Sequence, residues 1–306
     1  MLTKYSLHEG KVVEAVDGDG PIWLCVAPDE SERRFLVENL KLDEHTLHSS
    51  LDPDEQPRLE FEPAHIALIF KRPKNYSAAD QYLFRVTSVG VFLFKDRVVI
   101  VTPDDAPLFE GRQLIKIATP LDLMLKLIYR SIYHYFEHLK TINMITDALE
   151  QKINTAMENK YLLNLFSLGK SLVFYVNALD ANAMLIEKLK TNTSKIGFTR
   201  EQLEFIDDLL IENKQCLKQA EIYSNILASL MDARASIVSN NLNNLMKTLN
   251  IITIGIMVPT LVVSIFSMNV VLPLSQDHPF TFWIVIGLSL VSVVTFLFVW
   301  NRRKWH

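Results

Sequence analysis

The sequence predicts an α/β domain at its N-terminal end, long stalk helices after it, and a two-helix transmembrane hairpin at the C-terminal end. Three observations carry this reading. Most of the 12 prolines and the short β-branched runs lie before residue 115, no proline occurs from Leu121 to Val258, and two apolar runs close the chain, Ile251–Phe266 and Phe280–Trp300. The 306 residues have a formal net charge of −4 and 22% charged side chains, and the apolar excess is confined to the last sixth or so of the chain.

Taken in order, Lys11–Val16, Ile22–Val26, His65–Phe70, Leu83–Thr87, Val89–Phe94 and Arg97–Val101 are short runs rich in β-branched and aromatic residues, the pattern of strands. Helical patterns fall at Asp29–Asn39 and Lys41–Ser50, with turns at Asp17-Gly18-Asp19-Gly20-Pro21 and Lys95-Asp96. Residues 1–115 therefore read as an α/β domain. The proline-free stretch holds only Gly169, Gly197 and Gly255, so it reads as long helices broken near the first two. Pro120 suits the opening turn of a first helix reaching Asn159, and a second runs from Tyr161 to about Leu189. Thr199 N-caps the third, with Glu201 and Gln202 in its first turn. Nothing stops that helix before Pro259, so stalk and first membrane segment form one helix of roughly 70 residues and about 100 Å. The expected divisions are a helical region at 116–196, the stalk helix running into the first span at 197–268, an extracytoplasmic loop at 269–279, the second span at 280–300 and a basic tail at 301–306.

The second apolar run has 21 residues and no charge. At helical rise it covers roughly 30 Å, the thickness of a hydrocarbon core. The first has 16 residues and reaches spanning length with the uncharged Thr248-Leu249-Asn250 before it and Ser267-Met268 after it. Lys247 and Arg302-Arg303-Lys304 flank the pair, whereas the loop carries only Asp277, so both termini are expected in the cytoplasm and the protein in an inner or plasma membrane. Trp283, Trp300 and Trp305 stand where interfacial anchors would, and the basic tail suits anionic lipid headgroups. The first residues have no apolar leader, so no cleaved signal peptide is expected. Cys25 and Cys216 are expected as small apolar fillers in a reducing compartment.

Along the third helix, Asn243, Met246, Asn250, Thr253, Met257, Thr260, Ser264 and Ser267 recur at steps of three and four and so share one face. Polar groups at membrane depth need another helix or water, so this face is expected to line a bundle interior or a pore. The stripe ends at Asn269, an amide at the outer mouth.

The run Ile237–Leu249, then Val258-Pro259-Thr260, Phe266-Ser267-Met268-Asn269 and the basic tail together resemble the CorA family of magnesium channels, whose signature is aromatic-Gly-Met-Asn between two transmembrane helices. Ser267 replaces the signature glycine, which removes a residue free to take positive φ and adds a hydroxyl. The resemblance implies a homopentameric funnel in which the first transmembrane helices line the pore and the second form an outer ring. It implies Ser267, Met268 and Asn269 as the selectivity loop. Asn243, Met246, Leu249, Met257 and Thr260 look like pore-lining positions, and Ser264 takes a small-residue position. Magnesium dehydrates reluctantly, so a ring of amide carbonyls can hold its water shell without stripping it. Met246, Leu249 and Met257 supply an apolar constriction able to close by dewetting. Family members sense internal magnesium through acidic residues between cytosolic domains, and Asp207 and Asp208 lie near such a position. Asp232 is a further candidate, for cation attraction or for pairing with the tail.

Magnesium is thus expected as transported ion and as regulatory ligand, with no resident cofactor. Transport of zinc, cobalt or nickel, and a non-conducting pentameric sensor or scaffold, are the competing readings. His134 and His138 have a spacing that could hold zinc but no third ligand converges in sequence, so packing is expected. Glycine-rich phosphate loops, Gly-x-Ser-x-Gly elbows and Cys-x-x-Cys pairs are missing from the sequence, and neither an enzyme nor nucleic-acid binding is expected.

Overall fold

A computed structural model describes residues 1–15, 20–105, 107–111, 113–155, 159–270 and 280–302. By its contacts the chain divides into two units, Met1–Met231 and Asp232–His306.

The first unit is built on a sheet of seven strands: β1 Leu2–His8, β2 Lys11–Glu14, β3 Ile22–Val26, β4 Arg58–Phe61, β5 Ile66–Pro73, β6 Val86–Leu93 and β7 Val98–Thr102. Their spatial order is β2-β1-β3-β7-β6-β5-β4. β3 and β7 run parallel and the other neighbours antiparallel. Strand alternation sorts the side chains to two cores. Ile22, Leu24, Val98 and Ile100 join Leu68, Phe70 and the long helices on one face. Trp23, Cys25, Val99 and Val101 join Leu36, Leu42 and Leu47 on the other, under α1 (Glu30–Glu38) and α2 (Glu44–Leu51). Covered on both faces, the central strands read as nearly continuous apolar runs, which is why β3, β5 and β7 stand close to their expected positions.

Local chemistry sets the ends of the short helices. Asp29 caps α1 in a reciprocal box with Glu32, and the Asp43 carboxylate accepts from Thr46 N–H at 2.8 Å to start α2. Glu9 and Gly10 both take positive φ, 50° and 74°, and close β1 onto β2 as a two-residue hairpin.

Some expectations need correction. Leu83–Thr87 and Val89–Phe94 are not two strands; one strand, β6, spans most of that stretch. Ser88, the polar residue that parted them in sequence, is buried because its hydroxyl donates to Asp52 O at 2.6 Å and accepts from Lys71 Nζ at 3.0 Å. β1 and β4 were not anticipated. Gly20 and Pro21 of the expected turn are described, while residues 17–19 lie outside the described residues.

After the sheet come α3 (Pro120–Thr155) and α4 (Asn159–Thr191), the short α5 (Thr193–Ile196), and α6 (Arg200–Phe266). α3 is described to Thr155 and α4 from Asn159, with residues 156–158 outside the described residues, and Gly169 does not break α4. It faces α6, where a Cβ would meet Leu227 Cδ2 at 3.4 Å, an ordinary van der Waals contact. Gly197, with φ of 84°, ends α5 as expected of the second glycine. Thr199 caps α6: its Oγ1 accepts from Gln202 N–H at 3.2 Å, and Gln202 Oε1 accepts from Thr199 N–H at 3.0 Å. Gln202 Nε2 also donates to Asp122 Oδ1 at 2.7 Å, and Asp122 Oδ2 accepts from Thr119 N–H at 2.9 Å, so the starts of α3 and α6 are stitched together.

A buried amide ties sheet to helices. Asn182 of α4 accepts from Lys71 N–H at 2.9 Å and donates to Lys71 O at 2.8 Å, and Ser131 of α3 donates to the same carbonyl at 2.9 Å. Cys25 and Cys216 are free and buried, as expected of apolar fillers.

The second unit holds the C-terminal part of α6 and α7 (Thr281–Arg302). Residue by residue, α6 is uninterrupted through Pro259.

Candidate ion pathway

Among the described residues, three helices are long and apolar enough to cross a membrane by length and composition. One of them, Lys160–Thr191, is a core helix: Leu165, Leu168, Leu172, Tyr175 and Leu179 are each 1% exposed or less against the sheet and its neighbours. The apolar windows of the other two, Arg200–Phe266 and Thr281–Arg302, have no buried share at all. Their bare apolar surface is far more than a soluble chain exposes, and lipid or further subunits must cover it.

The two helices of the second unit divide their faces between them. On α6 the half-covered residues Ile251, Gly255, Val258, Val262 and Phe266 recur at steps of three and four. On α7 the half-covered positions are Val285, Ser289, Ser292, Phe296 and Trp300, spaced in the same way. A Cβ on Gly255 would lie 3.9 Å from Phe296 Cε1, which identifies these rows as the seam between the helices. At roughly 100° per residue, Ser264 and Met246 stand about 180° round the helix from Gly255. The stripe Asn243, Met246, Asn250, Thr253, Met257, Thr260, Ser264 and Ser267 is exposed throughout and turned away from α7, and Leu249 is exposed beside it.

The hydroxyls of that stripe are partly committed to their own helix. Thr253 Oγ1 donates to Leu249 O at 2.8 Å and Thr260 Oγ1 to Ile256 O at 2.6 Å. With its proton used, each threonine turns oxygen lone pairs outward, and a hydrated cation offers water protons to such acceptors. Pro259 sits on the seam side, four residues after Gly255, and has no N–H to give the Gly255 carbonyl.

At the end of α6, Ser267 takes no positive φ. Its N–H reaches Val263 O at 3.1 Å and Ser264 O at 3.2 Å, and its hydroxyl donates to Ser264 O at 2.9 Å. The serine therefore works as a C-terminal cap, closing carbonyls the helix leaves open, in a conformation that does not require glycine. Met268 and Asn269 follow, both exposed. Residues 271–279 with Asp277, and Arg303, Lys304 and Trp305, lie outside the described residues.

The two candidate acids of the first unit part company. Asp207 pairs with Lys190 of α4, Oδ1 to Nζ 2.6 Å, whereas Asp208 beside it is exposed. Among the described residues no three His, Cys, Asp or Glu side chains converge as metal ligands. Asp232 is exposed. His138 is buried with Nδ1 2.5 Å from Tyr175 Oη, and His134 packs against it at 4.3 Å between ring centroids. Burial pushes His134 down to about 3 and His138 to about 4, so both rings are neutral packing groups near pH 7. Sequence reasoning missed the roles of Gly255 and Pro259, although their spacing of one helical turn was the available signal.

A sheet-and-helix unit joined to two bare apolar helices, one with a polar stripe ending in Ser-Met-Asn, defines a membrane transport protein. The family model for "CorA-like Mg2+ transporter protein" matches residues 18–303, and the chain belongs to that family. Two curated relatives are each called cobalt/magnesium transport protein CorA. The one from Methanocaldococcus jannaschii is 27% identical over 300 residues, spanning 93% of this chain and 91% of the relative. That from Thermotoga maritima is 22% identical over 265 residues, spanning 85% and 75%. Among solved structures, the complete CorA magnesium transporter from Methanocaldococcus jannaschii superposes with a TM-score of 0.81 at 21% identity, covering 100% of this chain and 98% of the other. The full-length CmaX protein gives 0.75 at 16% identity, covering 99% and 97%.

Proposed function

We propose a route and a mechanism for the magnesium transport that family membership gives this chain. Copies of the chain, five in the arrangement that the family resemblance implies, bring the striped face of α6 to a common axis, with α7 outside it. The observation that carries this reading is the opposition of faces on α6: the seam with α7 on one side, the exposed polar stripe on the other. A stripe of Asn, Thr and Ser facing lipid would leave polar groups unsatisfied; around an axis it meets water. Magnesium passes with much of its water shell, held at the outer mouth by Asn269 amide oxygens and along the stripe by the Thr253 and Thr260 acceptors. Met246, Leu249 and Met257 form the constriction that closes by dewetting. The flux runs down the electrochemical gradient, with both termini in the cytoplasm.

The test is magnesium entry into proteoliposomes loaded with a magnesium-sensitive dye. Asn269→Ala is expected to lose most of the flux while the oligomer stays intact, because only the outer amides go. Normal flux in an intact Asn269→Ala oligomer would take Asn269 out of the mechanism. Cobalt in parallel assays shows whether the route separates the two ions named for the relatives.

A further inference from the structure

A cavity of the first unit lies outside the striped face of α6. It measures about 550 Å³ and opens beside β5 and α4. That is the size of a small-molecule site rather than a water pocket. Lys71, only 5% exposed, is among the residues that line it. Lys71 Nζ donates to Pro53 O at 2.5 Å and to Ser88 Oγ at 3.0 Å, which leaves one of its three protons for another acceptor.

Two more cations line the walls from different elements, Arg85 just before β6 and Lys170 on α4. Among the described residues neither makes an ion pair; Lys170 Nζ rests 5.6 Å from the Phe174 ring centre. Asp52, Asp54 and Glu55 offset the charge of Lys71 and Asp80 feels that of Arg85, so the cavity keeps a cationic lining that nearby acids balance in part. Phe174 and Asn177 stand four and seven residues after Lys170 on the same face of α4 and line the cavity with it, and Gln56 is also among the lining residues.

We infer that this cavity binds a phosphorylated small molecule, its phosphate held by Arg85, Lys170 and the Lys71 ammonium and its organic part against Phe174. A guanidinium and two ammonium groups around one space suit the several oxygens of a phosphate. The flat ring and the Asn177 and Gln56 amides suit a planar, hydrogen-bonding remainder, and the volume exceeds what inorganic phosphate alone would fill. The Asp54 carboxylate on the rim opposes the anion and limits its affinity.

Calorimetric titration of the full-length protein in detergent, with chelator present so that free magnesium does not contribute, tests this with inorganic phosphate, pyrophosphate and adenosine triphosphate. Saturable binding of one molecule per chain is expected, tightest for the nucleotide. Arg85→Ala/Lys170→Ala should weaken it roughly tenfold or more, since two charge-assisted contacts go, and Asp54→Asn should strengthen it. Both altered cations are exposed, and an unchanged thermal midpoint verifies the fold of the double variant. Tightest binding of inorganic phosphate would overturn the role of Phe174. No saturable binding of any of the three, or binding undiminished in the double variant, would overturn the site.

Discussion

Asn182 completes the edge of β5 at Lys71. β4 pairs with β5 only from Ile66 to Ile69, and beyond it the Lys71 N–H and carbonyl are both met by the one carboxamide of Asn182, at 2.9 and 2.8 Å. The amide thus stands in for a strand that is not there. Both partners are buried, so Asn182→Ala leaves the Lys71 N–H without a bond and its carbonyl with Ser131 Oγ alone, and is expected to cost about 1–3 kcal/mol. Chemical denaturation followed by fluorescence measures it, and a change within error of zero would mean that water replaces the amide at no loss.

Ser267→Gly is expected to keep or raise magnesium flux. The serine already avoids positive φ and caps Ser264 O, so glycine removes a cap without relieving strain and restores the signature residue. Dye-loaded liposomes report flux, and an assembled but inactive Ser267→Gly protein would show that the hydroxyl shapes the outer mouth.

At the constriction, charge should harm more than loss of bulk. Met257 is 62% exposed in the single chain, on the side of α6 away from α7. Met257→Ala is expected to conduct at least as well as the parent, because a narrower apolar ring is easier to dewet than a wider one. Met257→Asp sets like carboxylates against one another at membrane depth, and gating or assembly should fail. Loss of flux in an assembled Met257→Ala protein would contradict closure by dewetting.

The first unit should weaken in acid before its carboxylates protonate fully. His134 and His138 are held down at about 3 and about 4 by burial, from an ordinary value of 6.5. The unfolded chain therefore binds more protons than the folded one between those values, so their contribution is complete above about pH 6.5 and is lost as pH falls toward the folded values. Denaturant midpoints at pH 7 and pH 5 should differ less in His134→Gln/His138→Gln than in the parent. Equal differences would assign the acid sensitivity to other groups.

What was legible in the sequence follows the range of the forces. The Thr199–Gln202 cap lies within four residues, and the apolar runs of β3 and β7 within five, so both were readable. The division of α6 into two faces was half readable: the polar stripe stood out by its spacing, but the seam with α7 is apolar on apolar and leaves no contrast. β1 is polar and half-exposed and β4 is four residues long, so neither shows a core pattern. The Lys190–Asp207 pair and the Asn182 edge join residues whose neighbourhood exists only after folding. Gly169 gave the wrong signal because a glycine inside a packed helix and a glycine that ends one are the same letter.

Pro259 leaves a rung missing from the hydrogen-bond ladder of α6 at Gly255, on the side where Phe296 lies against it. Everywhere else along that span, a bend must stretch a bond sealed off from water. Here it stretches none, so mechanical compliance gathers within a single turn, and Met257 sits inside that turn. A rotation that opened the helix at this point would swing the Met257 side chain while the Thr253 and Thr260 hydroxyls, each tied to its own carbonyl, travelled rigidly with the segments on either side.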